Sequence, residues 1–195
     1  GVDVFFVISG FLISRILFDE IAATGGVRLS RFYFRRTLRI FPPYYVFLAA
    51  IAAMMWLGLL QLPTRDVLAA LTYTANYLPP RAWKLSHTWS LAVEEHFYLL
   101  WPVVLAWLGR SRGLLVPAAL VVVAPVLRVA YWLFAPGVEI PVRTETIADA
   151  IAVGCLLAGA REALHARDWY RRFLASRVTL ALPLVILAAH ALQFL

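Results

Sequence analysis

Six apolar runs punctuate the chain, at residues 2–18, 40–62, 87–108, 114–135, 145–160 and 178–195, with short polar connections between them. A bilayer core of about 30 Å requires about 20 mostly apolar residues in a helix, so each run is predicted to be a transmembrane helix. The order implies an all-α, polytopic transmembrane helix bundle. The first run is short, the last is still apolar at Leu195, and Gly1 has no initiator Met or leader-like basic region before it. The sequence is therefore expected to be an internal piece of a longer membrane domain, a single domain over residues 1–195 truncated at both ends.

One segment does not fit a crossing helix. Residues 66–78 are too short and too polar, and an interfacial or re-entrant helix ended by Pro79 and Pro80 is expected there. Pro42, Pro102, Pro117, Pro125 and Pro183 lie in or beside the runs, which membrane helices tolerate when neighbours satisfy the freed carbonyls.

Composition sharpens this picture. Of 195 residues, 63% are hydrophobic and 15% charged, with a mean hydropathy of +0.79, which excludes a disordered tail, a disulfide scaffold and an ordinary cytosolic enzyme. The single cysteine, Cys155, sits in an apolar run and reads as a core residue, and no metal site is expected. The net charge of +7 would suggest nucleic acid in a soluble protein. Here the basic residues concentrate in alternate connections, twelve on one side and four on the other, and the richer side is predicted to be cytoplasmic.

Three stretches carry candidate chemistry. The third run contains Glu94-Glu95-His96, and two carboxylates within an apolar helix must face protein or water rather than lipid. Successive helical residues diverge by about 100°, so Glu94 and Glu95 point apart, while His87, Leu91 and Glu94 share a stripe. A His and a carboxylate lining a buried cavity suit general acid/base work. A purely structural alternative pairs the carboxylates with an arginine inside a span, such as Arg128. His96 reads as a supporting or packing residue.

The second stretch is Arg31-Phe-Tyr-Phe-Arg-Arg-Thr-Leu-Arg39, where Arg35, Arg36 and Arg39 stand at helical spacings that form one cationic face. Guanidinium groups bind phosphate in bidentate fashion, so this face suits a phosphorylated donor or anionic headgroups, or serves only as a positive-inside anchor. The third is Gly1-Val-Asp-Val-Phe-Phe-Val-Ile-Ser-Gly-Phe-Leu-Ile-Ser14, in which Asp3 needs a partner or water and Ser9-Gly10 reads as a close-packing pair. Asp149 is a further acid within a run, open to a structural pairing or a site role.

Taken together, Gly1-Val-Asp-Val-Phe-Phe-Val-Ile-Ser-Gly-Phe-Leu-Ile13, then Arg35-Arg36 with Arg39-Ile40, Pro43 and Tyr44, then Trp89-Ser-Leu-Ala-Val-Glu-Glu95 with Phe97-Tyr-Leu99 and Pro102, resemble the acyltransferase 3 family of bacterial integral-membrane O-acyltransferases. A weaker likeness runs through Ala148-Asp149, Gly154 and Leu157-Ala158. The resemblance implies a bundle of about ten spans, about six of them here, in the bacterial inner membrane. It implies transfer of an acyl group, chiefly acetyl, from cytoplasmic acyl-CoA to a hydroxyl of an envelope carbohydrate or glycolipid, with no bound cofactor. Arg35, Arg36 and Arg39 would then bind acyl-CoA, and Glu94, Glu95, His87 and Asp3 would belong to the catalytic region. The family's catalytic His is implied on a helix before the Gly-Val-Asp motif, so these residues alone are expected to be inactive. Two positions depart from the pattern: His96 replaces the usual Gln, and Ile147 stands where a basic residue often precedes Ala-Asp. A transporter coupling ions through intramembrane carboxylates shares much of this pattern and is the alternative reading.

Overall fold

The computed structural model describes residues 1–78 and 81–176, with Thr179 and Ala181. Among the described residues every regular element is helical. The helices are α1 (Val2–Thr24), α2 (Leu29–Trp56), α3 (Thr64–Leu71), α4 (Thr88–Gly113), α5 (Leu115–Phe134), α6 (Thr144–His165) and α7 (Asp168–Ala175). Single 3-10 turns occur at Ala75–Tyr77, Trp83–Leu85 and Ile140–Val142.

Five of the six expected runs are thus helices, and the sixth, 178–195, lies outside the described residues apart from its two isolated positions. Among the described residues, three helices are both long enough and low enough in charge to cross a membrane, against the six spans that the sequence suggested. Leu29–Trp56, Trp83–Gly113 and Leu115–Phe134 are long and apolar enough to cross a membrane. On α1 the charges Asp3, Arg15, Asp19 and Glu20, and on α6 the charges Glu145, Asp149, Arg161 and Glu162, put at least three charged side chains in every stretch of 18 residues, more than a lipid-facing span carries readily.

The second helix also begins earlier than its apolar run. It starts at Leu29 and carries Arg31, Arg35, Arg36 and Arg39 in its first three turns before it becomes apolar. In place of the expected helix over 66–78 there is the two-turn α3, followed by a turn and the Ala75–Tyr77 3-10 turn. Asp66 is buried there and its Oδ2 accepts the Ala82 N–H at 2.7 Å, which ties this segment down.

Two apolar cores flank α4. The first joins α1, α4 and α6 through Phe6, Leu17, Phe18, Val93, Trp101, Leu105, Ile151 and Cys155. The second joins α2, α3 and α4 through Tyr44, Leu48, Ile51, Ala70, Tyr73, Leu85 and Ala92. Because Ala92 and Val93 face different cores, the next residues, Glu94 and Glu95, are also directed to different neighbours.

Among the described residues the α1–α6 contact is the most extensive between helices, and it depends on two glycines. A Cβ on Gly10 would collide with the Ile151 carbonyl, and one on Gly154 with the Val7 carbonyl and the Phe11 nitrogen. Small residues let membrane helices approach backbone to backbone, and Gly10 fulfils the packing role expected of it. At Gly109, φ is 68°, and this left-handed residue breaks α4 into two segments before α5 begins.

Candidate active site

Glu94 and Glu95 are both buried on α4, and each has a definite partner. Glu94 Oε1 accepts hydrogen bonds from the Ser9 hydroxyl of α1 and, at 3.0 Å, from the Tyr98 hydroxyl one turn along its own helix. Ser9 and Tyr98 also touch each other, so the three side chains close a triangle. Glu95 turns toward α2, where its Oε1 accepts from Arg36 Nη2 at 2.7 Å. The Arg36 guanidinium carbon lies over the Tyr98 ring, 3.2 Å from its centroid. One aromatic residue therefore joins the two halves: its hydroxyl serves Glu94 and its face serves the partner of Glu95.

Ser9, Arg36, Glu94 and Tyr98 form the floor of a groove between α1 and α2 with a volume of about 740 Å³, and Glu95 meets it only through its bond to Arg36. Phe5, Ile8, Leu12 and Ile16 of α1 give it an apolar wall, and Arg35, Arg36 and Arg39 line the α2 side. Arg35 and Arg39 are exposed at the rim, whereas Arg36 is turned inward. The expected cationic face is therefore divided between two free rim positions and one guanidinium committed to a carboxylate.

The structure separates other residues that the sequence grouped. His87 is exposed at the N-terminal cap of α4, edge-on to Phe47, two turns from Glu94 and outside the groove. The shared stripe exists, but a separation of seven helical residues is about 10 Å along the axis, too far for His87 and Glu94 to act on one atom. Asp3 is exposed in the first turn of α1 and is not part of the groove's lining. Arg128 pairs with neither glutamate. It forms a bidentate pair with Asp149, Nη2 to Oδ2 at 2.6 Å and Nη1 to Oδ1 at 3.1 Å, and holds α5 against α6.

His96 supports the loop segment. Its Nδ1 meets Thr144 Oγ1 at 2.7 Å and its ring stacks on Tyr77, which links α4 to the start of α6. Around it, Tyr77 and Tyr131 both donate to Glu145, and Asn76 donates to Thr144. Burial pushes the Tyr77 hydroxyl above the ordinary tyrosine range.

Ser9 is the residue that sequence reasoning misassigned. It was expected only to pack, yet it is a hydrogen-bond partner of the buried Glu94. A lone serine in an apolar run carries no signal by itself. The signal lay in Glu94, whose buried carboxylate needs a donor from a facing helix.

The fold and this centre define a class: helical chains with membrane-length spans that bury an acidic, hydroxyl-bearing cluster beneath an arginine-rimmed groove. A family model described as an acyltransferase domain matches residues 1–194, and the chain belongs to the acyltransferase 3 family. It is 32% identical to the peptidoglycan O-acetyltransferase OatA of Listeria monocytogenes, over 81% of this chain and 29% of that protein. It is 29% identical to the O-acetyltransferase OatA of Staphylococcus aureus strain NCTC 8325, again over 81% of this chain and 29% of that protein. A putative O-acetyltransferase of S. aureus strain COL is 36% identical over 55% of this chain and 20% of its own length. The chain thus spans less than a third of the length of these relatives, and no solved structure matches it.

Proposed function

We propose that the protein carrying this chain is a multi-pass inner-membrane O-acyltransferase, moving an acyl group, chiefly acetyl, from cytoplasmic acyl-CoA to a hydroxyl of an envelope carbohydrate. The observation that carries this reading is the groove, whose exposed rim holds Arg35 and Arg39 while its floor holds Ser9, Glu94, Tyr98 and Arg36, the last fixed from behind by Glu95. CoA has phosphates at one end and a thioester at the other. A groove with guanidinium groups at the rim and an acid–hydroxyl cluster inside matches that polarity.

In this reading Arg35 and Arg39 hold the donor's phosphates. Arg36 fixes Glu95, and Ser9 with Tyr98 fixes Glu94, so that the carboxylates can orient the acceptor hydroxyl or the group that takes its proton. The family resemblance assigns that base to a helix before residue 1, in a bundle of about ten spans. Peptidoglycan is the acceptor named for the Listeria relative, which makes it the first acceptor to try.

The test uses the full-length protein with acetyl-CoA and with acetyl-pantetheine, which keeps the thioester but lacks the phosphates of the nucleotide. Replacing Arg35 and Arg39 together by Ala is expected to raise KM for acetyl-CoA by about tenfold or more, leave kcat nearly unchanged, and leave acetyl-pantetheine unaffected. Equal loss with both donors would return the two arginines to a membrane-anchor role.

A further inference from the structure

The stripe of α1 that lines the groove is apolar but for Ser9 and, at its last position, Glu20. Phe5, Ile8, Leu12 and Ile16 recur along it at helical spacings, so Ser9 places one hydroxyl in an otherwise apolar wall. A helical serine commonly turns its hydroxyl back to the carbonyl four residues before it. Ser9 instead reaches across to α4, where it donates to Glu94 Oε1. The carboxylate does not need it, because the Tyr98 hydroxyl already donates to the same oxygen at 3.0 Å.

A hydroxyl bonded to a carboxylate pairs a nucleophile with a base. Tyr98 supplies the third member, since its hydroxyl touches both Ser9 Oγ and Glu94 Oε1. It can turn from the carboxylate to the serine oxygen as negative charge moves there, and a hydrogen bond to a charged oxygen is the stronger one. Ser9, Glu94 and Tyr98 all line the groove, together with Arg35 and Arg39. The nucleophile, its base and the cationic rim therefore open onto one space.

We propose that Ser9 carries the acyl group from donor to acceptor as an ester on its Oγ, a role that rests on the acyltransferase reading above and divides the transfer into two steps. In the first, Ser9 Oγ bonds to the thioester carbonyl carbon while its proton passes to Glu94. The carbon–sulfur bond breaks with its electron pair on sulfur, which takes that proton and leaves as CoA. In the second, the acceptor hydroxyl oxygen bonds to the same carbon and the bond to Ser9 Oγ breaks. The proton lost by the acceptor ends on Ser9 Oγ, which restores the serine and releases the ester. Between the steps, Phe5, Ile8 and Leu12 beside Ser9 surround the acylated oxygen with apolar side chains, which keeps water from it.

The test incubates the full-length protein with labelled acetyl-CoA and no acceptor, quenches it in acid, digests it and weighs the peptide that contains Ser9. An added acetyl group on Ser9 is expected, stable in acid and released by base. Ser9→Ala is expected to lose the label and to lower kcat for transfer by about 10³-fold or more. Should Ser9→Ala insert poorly, Ser9→Cys decides, since it keeps a nucleophile of similar size. Its acetyl is then a thioester, which neutral hydroxylamine cleaves and the wild-type oxygen ester resists. An acetyl group on Tyr98 or any other residue, an unlabelled Ser9 in protein that transfers, or a Ser9→Ala kcat within about threefold of wild type would overturn the relay. A wild type inactive with every acyl-CoA would sink the acyltransferase reading and the relay with it, whereas an active wild type with an unlabelled Ser9 would sink the relay alone.

Discussion

The Arg36–Glu95 pair carries the largest consequence of any single contact. Its side chains are only 12% and 10% exposed, so solvent screens little of the interaction. Removing one member of such a pair strands a buried charge and typically costs about 3–5 kcal/mol, while replacing both by apolar groups is often nearly neutral. Arg36→Ala is therefore expected to lower the thermal midpoint sharply, and Arg36→Met with Glu95→Leu to restore much of it while leaving the protein inactive. A double-mutant cycle on purified full-length protein measures the coupling, and additive losses would mean that the pair does not hold α2 to α4. Glu95 was legible as a site candidate because a charge in an apolar helix must be explained. Its partner was not, because Arg35, Arg36 and Arg39 look alike in sequence and only the packing of α2 against α4 turns Arg36 inward.

At the scale of elements, the α1–α6 crossing sets the position of Ser9, because Gly10 beside it is in backbone contact with Ile151. Overpacking such a contact typically costs about 1–3 kcal/mol. Gly154→Ala is expected to lower the thermal midpoint and, by shifting α1, to weaken the Ser9–Glu94 contact and reduce transfer, whereas Gly26→Ala, in a loop with open space around it, spares transfer. Equal activity in both variants would detach the helix crossing from the site. Apolar run length correctly announced five helices, since a long uncharged stretch has few other ways to satisfy its backbone. It missed the first three turns of α2, where the basic residues end the apolar run but not the helix. It placed His87 and Glu94 on one stripe two turns apart, a spacing that the structure keeps, but it gave no sign that His87 would be exposed at the start of the helix.

For the molecule as a whole, the buried polar centre between two apolar cores is what separates this chain from a passive bundle of helices. The apolar outer faces of α4 and α5, with Trp107, Val122, Val126 and Trp132 exposed, suit a lipid surface. The order of the motif blocks was readable in sequence and carried the family, which the match over residues 1–194 bears out. The groove was not readable, because it arises where α1 and α2 diverge above a floor supplied by α4.

The most direct measurement is transfer of labelled acetyl from acetyl-CoA to envelope glycan by membranes carrying the full-length protein, beside Glu94→Gln and Glu95→Gln variants that insert at wild-type levels. We expect label in a base-labile ester with the wild type and its loss in both variants. Unchanged labelling in the variants, or no label from the wild type with any acyl-CoA, would contradict a transferase centre at Glu94 and Glu95 and turn attention to ion coupling by these carboxylates.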